Sequence, residues 1–212
     1  MESRGKAELR RSLLAVRART DPAALARAAS DLCRQVLMAG PVRAARSIAA
    51  YVPVGTEPGS VELLDALRAR VDRVVLPVVV AGSPALDWAV YAGADQLQAG
   101  PLSLREPVGA RLGPDALAEV DVVLVPALAA DRAGRRLGRG GGYYDRALAA
   151  VPAPTPVAAL LYDDELLDQL PDEPHDRRVT VAVTPALGWV PLGGDSARGM
   201  PPVDDRPGHS AP

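Results

Sequence analysis

The sequence predicts an α/β fold: a single layered domain with a mostly parallel central sheet flanked by helices. Three observations predict it. Short apolar runs rich in Val, Leu and Ala recur at 46–52, 73–79, 120–125, 156–162 and 179–184. Stretches of helical periodicity precede and separate the early runs, so strands alternate with helices. The first strand, its loop and the helix after it read as the first half of a βαβ unit, which leads to a parallel neighbour.

In chain order, residues 3–19 read as a helix, with Leu9, Leu13 and Val16 spaced for one buried face. Lys6 and Arg10 are four apart and so are neighbours on that helix. A second helix starts at Asp21-Pro22, a good cap followed by a residue suited to the first helical position, and Gly40-Pro41 ends it. Arg46–Val52 is a buried strand, and Pro53–Gly59, carrying Glu57, is its loop. Ser60 caps a helix through Val61, Leu64 and Leu67. Arg73–Val79 is the next strand, with Pro77 expected at its end because a central strand cannot lose an N–H. Ala85–Tyr91 alternates like a half-exposed strand, with Trp88 read as core. Residues 92–118 look irregular. Val120–Val125 is a strand closed by Pro126, and a loop over 127–135 carries Asp131 and Gly134. Pro156–Tyr162 is a strand, 164–170 a short helix or turn, Glu173–Asp176 a polar loop and Val179–Thr184 the last strand. From Pro191 the chain is rich in Gly, Pro, Ser and Asp without periodicity. The expected organisation is a folded domain over 1–190 and a disordered tail over 191–212.

Composition narrows the function classes. Of 212 residues 48% are apolar and none is Phe, so Leu, Val and Ala must fill the core. The net charge of −2 argues against a nucleic-acid partner held by broad electrostatics. No apolar run reaches a membrane span. Leu13–Val16 is hemmed in by Arg11 and Arg17, so no secretory core is expected. The one cysteine, Cys33, excludes an intrachain disulfide and reads as a small buried residue. A cytoplasmic monomer is expected. Of the 24 basic residues Lys6 is the only lysine, in a chain that otherwise uses arginine. A lysine kept in that setting is a candidate compact ammonium.

The chemistry concentrates in Arg136-Leu137-Gly138-Arg139-Gly140-Gly141-Gly142-Tyr143-Tyr144-Asp145-Arg146. Glycines let a backbone turn through positive φ and approach a ligand closely. Bare loop amides form an anion-binding concavity, and the segment opens a helix at Asp145–Ala150. Established glycine motifs do not fit. The nucleotide loop that ends in Gly-Lys-Ser/Thr is excluded by Tyr143, and a dinucleotide fingerprint would need glycine at 143.

In this order along the chain, these residues resemble the 5-formyltetrahydrofolate cyclo-ligase family. The glycine segment looks like the family signature. Lys6 to Arg10, Tyr51 to Glu57, Glu106-Pro107 with Gly109, Val125-Pro126, His175-Asp176 and Val183-Thr184-Pro185 support it. The resemblance implies conversion of 5-formyltetrahydrofolate and MgATP to 5,10-methenyltetrahydrofolate, ADP and phosphate. It places ATP on Lys6, Arg10, Arg136, Leu137, Gly138, Arg139, Gly140, Gly141, Gly142, Tyr143 and Tyr144. It places the folate against Arg10, Val52 and Glu57, and Mg²⁺ on Asp145 and Asp176. His175 is read as a residue that supports the neighbouring aspartate or the loop rather than as a base, and no residue is assigned as a general base because N10 of the substrate is itself the nucleophile. Three positions depart from the family pattern: Gly141 offers no side chain, Ala130 stands where an aromatic is common, and Thr180 where an aspartate is. Two other readings remain: another nucleotide-dependent enzyme, kinase-like or a dehydrogenase, and a non-enzymatic small-molecule sensor.

Overall fold

A computed structural model of the protein describes residues 4–173 and 176–193. The chain opens with helix α1 (Arg4–Arg19) and α2 (Pro22–Met38). Asp21 caps α2, its carboxylate accepting from the Ala24 N–H, with Pro22 opening the first turn as expected. Gly40-Pro41 does stop α2, but it also begins a further short helix, α3 (Gly40–Ala44), since proline is tolerated in a first turn. Strand β1 (Ser47–Ala49) leads through the 50–60 loop to α4 (Val61–Arg68), whose cap is Ser60 accepting from the Leu63 N–H. Then come β2 (Arg73–Val79) and β3 (Leu86–Val90).

The stretch expected to be irregular contains a hairpin, β4 (Leu97–Ala99) and β5 (Arg105–Pro107), and short 3₁₀ turns. Strand β6 (Val122–Pro126) follows. The expected 127–135 loop is a tight antiparallel pair, β7 (Ala129–Asp131) and β8 (Arg136–Leu137). Asp131 builds it: fully buried, its carboxylate accepts from the N–H groups of Ala133, Arg135 and Leu170 and from Arg135 Nε. The glycine segment leads into α5 (Tyr143–Ala147), two residues earlier than expected. Strands β9 (Val157–Leu160), β10 (Leu166–Leu167), β11 (Val181–Thr184) and β12 (Gly188–Pro191) complete the set. A 3₁₀ turn at Asp163–Glu165 begins the short helix or turn expected over 164–170, and β10 then pairs with β7.

The seven-stranded sheet has the order β12-β11-β9-β6-β1-β2-β3. Its inner pairs are all parallel, and β3 and β12 add antiparallel edges. The chain moves outward from β1 in both directions, so β1 and β6 mark a topological switch point. Alternate strand residues serve two cores. Ile48, Val74, Leu76, Leu124 and Val183 pack under α2 and α4 with Leu32, Val36, Leu64 and Leu67. Ala49, Val75, Val123, Val125 and Ala182 pack on the other face with Trp88, Leu117 and Leu148.

Three expectations are corrected. Pro77 lies inside β2, paired with Trp88, and not at its end. The Val75 carbonyl accepts from Ala50 N–H on the β1 side and the Val74 carbonyl from Tyr91 N–H on the β3 side. By alternation Pro77 faces the β1 side, beyond the point where β1 has ended, so no ladder bond is lost. Val16 is exposed and not on the inner face of α1; Arg17 is buried in its place. The segment from Pro191 is part of the domain as far as it is described: Pro191 ends β12, Leu192 is buried and Gly193 donates to the Arg132 carbonyl. Residues 194–212 and His175 lie outside the described residues.

Gly134 takes a left-handed φ of 82°, and a methyl there would collide with the Val179 carbonyl oxygen. Gly134→Ala is therefore expected to destabilise the fold by about 3 kcal/mol, combining backbone strain with overpacking. Urea unfolding measures it.

Candidate active site

In open α/β sheets a crevice forms at the carboxyl ends of the strands where the order reverses. Here that crevice is a cleft of about 500 Å³. Its floor is Tyr51 and Val52 after β1, Pro77 and Val79 of β2, Pro126 closing β6 and Ala127 after it. Of the residues singled out in the sequence, Lys6, Arg10, Val52, Glu57, Arg136, Gly138 to Gly142, Tyr143, Tyr144, Asp145 and Asp176 all line it. Leu137 does not. Its side chain is buried with Leu128, Ala129 and Leu170, under Leu9 and Leu13 of α1, where it anchors the start of the glycine segment.

The glycine segment runs along one wall. Gly140 and Gly142 have φ of 101° and 65°, backbone that side chains rarely adopt. Among the described residues no group accepts from the amides of Arg139 to Gly142. Unused donors on a turning backbone are an anion cradle. At Gly138, whose φ is ordinary, a methyl would meet Arg136 Nη1 at 2.7 Å, so the guanidinium would have to shift.

Arg136 is mostly buried, beneath that loop. Its Nη2 donates to Asp145 Oδ1 at 3.0 Å, its Nη1 reaches the Pro126 carbonyl at 3.4 Å, and its guanidinium lies over the Tyr144 ring. Its nearest partner is thus a carboxylate. Arg139 is half exposed, and its Nε donates to Glu57 Oε1 at 2.8 Å. Glu57 Oε2 accepts from the Val54 N–H, which fixes the carboxylate toward the cleft. Burial, with Glu57 nearby adding to it, raises the hydroxyls of Tyr51 and Tyr144 above the ordinary phenol value. Both remain neutral donors and neither is suited to act as a base. Cys33, packed beside the α2 core, has its thiol raised by burial, as suits an inert side chain.

Helix α1 packs beside the glycine segment and contributes Lys6 and Arg10 to the cleft. Lys6 is buried, its ammonium 2.5 Å from Asp176 Oδ2 and 3.2 Å from Glu173 Oε2. Arg10 Nε donates to the Gly138 carbonyl at 2.6 Å.

Asp145 and Asp176 form the donor set that a divalent cation would meet. Asp145 uses Oδ1 for Arg136 and the Arg177 N–H; Asp176 uses Oδ2 for Lys6 and the Glu173 N–H. Among the described residues the second oxygen of each has no donor, and Arg177 ties the two aspartates to one corner of the cleft. No cluster of three or more His, Cys, Asp or Glu side chains suited to a metal occurs among the described residues. Two carboxylates without a full protein cage fit Mg²⁺, which keeps waters and takes phosphate oxygens.

The sequence reading missed part of the wall. Leu102, Leu104 and Arg105 of the β4–β5 hairpin line the cleft mouth, from a stretch with no periodicity to signal it. Glu106, by contrast, is buried outside the cleft, where its carboxylate accepts from the Val79 N–H and docks the hairpin on β2. Thr180, one of the departures, is structural: its Oγ1 accepts from the Val157 N–H.

Fold and cleft define an open-sheet α/β protein with a glycine-rich, arginine-lined cleft at its switch point. Comparison with known proteins sharpens this. The model of the 5-formyltetrahydrofolate cyclo-ligase family matches residues 2–185, and the chain belongs to that family of ligases. A 5-formyltetrahydrofolate cyclo-ligase of Mycolicibacterium smegmatis is 45% identical over 196 residues, 91% of this chain and 100% of the relative. The Escherichia coli cyclo-ligase is 31% identical over 151 residues, 70% of this chain and 83% of that protein. The solution structure of an Aquifex aeolicus 5,10-methenyltetrahydrofolate synthetase superposes with a TM-score of 0.76 at 25% identity, covering 95% of this chain and 99% of that one. No described helix is long and apolar enough to cross a membrane. Membership in a ligase family removes the sensor reading.

Proposed function

We propose that the protein converts 5-formyltetrahydrofolate to 5,10-methenyltetrahydrofolate at the expense of ATP, with Mg²⁺, releasing ADP and phosphate. The observation that carries this is one cleft holding three separate chemistries: an amide cradle with cations, a paired carboxylate corner, and a fixed glutamate over an apolar floor. They occur in a chain of the cyclo-ligase family.

The formyl oxygen takes the γ-phosphoryl group and ADP leaves. N10 then attacks the formyl carbon, its proton leaves, and phosphate departs with that oxygen and takes up the proton. Phosphoryl transfer depends on positioning and on neutralising spread charge. The amides of residues 139–142, with Lys6, Arg10 and Arg139, supply that neutralisation. Asp145 and Asp176 would hold Mg²⁺, which when bound offsets charge on the phosphates. Arg136, mostly buried against Asp145, orients that carboxylate more than it faces the triphosphate. Glu57 accepts from the amino and ring N–H groups of the pterin, and Val52 with its apolar neighbours packs on the ring. Such a reaction suits a cytoplasmic enzyme acting on small molecules alone, as a monomer.

Glu57 and Arg139 hold each other while each is also assigned a ligand. Arg139→Ala is expected to raise KM for ATP about tenfold, the scale of one hydrogen bond to a charged group. KM for the folate should not rise, because Glu57 loses its competitor. Steady-state kinetics with each substrate varied checks this. The reaction itself is tested by phosphate release: one phosphate per methenyl product, and none when either substrate is left out. Phosphate release without the folate would point to a different acceptor.

A further inference from the structure

Resting on that assignment of Lys6 and Arg10 to the nucleotide and Glu57 to the folate, we propose that Arg17 and Glu165 are positioning residues, a buried pair that sets helix α1 against the cleft and, through Tyr162, keeps it aligned with the loop carrying Glu57.

Helix α1 has little apolar surface to hold it. Leu9, Leu13 and Leu14 are only partly buried, on the small patch of Leu128, Ala129, Leu137 and Leu170. The buried residues of the helix are charged: Lys6 at one end and Arg17 at the other. Eleven residues separate them, three turns, so they share a face about 16 Å apart along the axis.

Arg17 is locked. Its Nε and Nη2 donate to Glu165 Oε1 and Oε2 at 2.6 and 2.8 Å, a bidentate fork. Nη2 also donates to the Ala127 carbonyl at 2.7 Å, next to the cleft floor at the end of β6. The guanidinium lies 5.4 Å from the centre of the Tyr162 ring. Glu165 Oε2 accepts in turn from the Tyr162 N–H at 2.9 Å. The Tyr162 hydroxyl donates to the Thr56 carbonyl at 3.1 Å, one residue before Glu57. One pair therefore joins the helix of Lys6 and Arg10, the floor after β6, and the Glu57 loop.

Stability alone is a poor reason for it. Burial raises the Glu165 carboxyl despite Arg17, and Arg17 Nη1 is buried with no acceptor among the described residues. A buried pair of this kind is often replaceable by apolar residues without loss of stability. What apolar residues lack is direction: a two-point fork fixes the rotation and height of the helix.

The test uses the full chain. The double variant Arg17→Met/Glu165→Gln, which neutralises both partners and keeps an acceptor for the Tyr162 N–H, should melt within a few degrees of wild type yet raise KM for ATP about tenfold, with faster amide hydrogen exchange along residues 5–16 and none added in α2. Arg17→Lys, a charge without the fork, should fall between the two. Tyr162→Phe, which removes only the hydroxyl, should raise KM for 5-formyltetrahydrofolate several-fold and leave KM for ATP unchanged. Wild-type exchange in α1 and wild-type KM for ATP in Arg17→Met/Glu165→Gln would overturn the proposal, as would equal changes in both KM values for every variant. A wild-type protein with no turnover would instead overturn the proposed reaction, and the exchange measurement would still decide the role of Arg17.

Discussion

Lys6→Ala is expected to lower kcat/KM for ATP by about 10²–10³-fold, the scale seen when one preorganised charge-stabilising group is removed from a dry site. Lys6 is buried between Asp176 and Glu173, at the corner where the phosphates would meet the carboxylates. A guanidinium, larger and reaching further than this compact ammonium, would have to displace one of the two acids it sits between. Lys6→Arg is therefore expected to recover little activity, even in a chain that uses arginine for every other basic residue. Steady-state kinetics on both variants, with melting curves to confirm the fold, gives the answer. Near-normal turnover in Lys6→Arg would mean that charge alone suffices there.

Asp145→Asn carries the second large effect. Asp145 takes the Arg136 guanidinium and the Arg177 N–H on one oxygen and leaves the other for a cation. The amide keeps the shape but loses the charge. Activity should fall about 10²-fold at fixed Mg²⁺, consistent with losing a ligand whose charge stabilises the transferring group. The Mg²⁺ concentration for half-maximal rate should rise. Stability should fall as well, because Arg136 is left buried beside a neutral partner. Arg136→Met separates the two: the melting loss should shrink, while a defect in Mg²⁺ dependence should persist because Asp145 is no longer oriented. An Asp145→Asn enzyme with unchanged Mg²⁺ dependence would place the metal elsewhere.

What the sequence made legible was what local chemistry determines. Asp21, Ser60 and the β-branched strands form the elements their types favour. The glycine segment advertised its cleft wall because only an unusual backbone needs so many glycines. Lys6 stood out by composition, and the structure buries it in that cleft. The misses are tertiary. Pro77 reads as a strand end until one sees that β1 stops before reaching it. Val16 looked like the inner face of α1, but a partner 148 residues away makes Arg17 the buried one. Spacing held a hint, since Arg17 falls on the same face as Lys6, yet nothing local names Glu165. The β4–β5 hairpin pairs in a stretch without periodicity, so its contribution to the cleft mouth emerges only from the fold. Leu137 lies within the signature but faces a core, a distinction that a motif read as one string does not make.

The central claim is that this cleft closes a ring on a folate using ATP. Purified protein incubated with 5-formyltetrahydrofolate, ATP and Mg²⁺ should develop the near-ultraviolet absorbance of the methenyl product, and the same mixture without ATP should not. An absorbance rise independent of ATP, or none from a folded protein that binds MgATP, would contradict that claim.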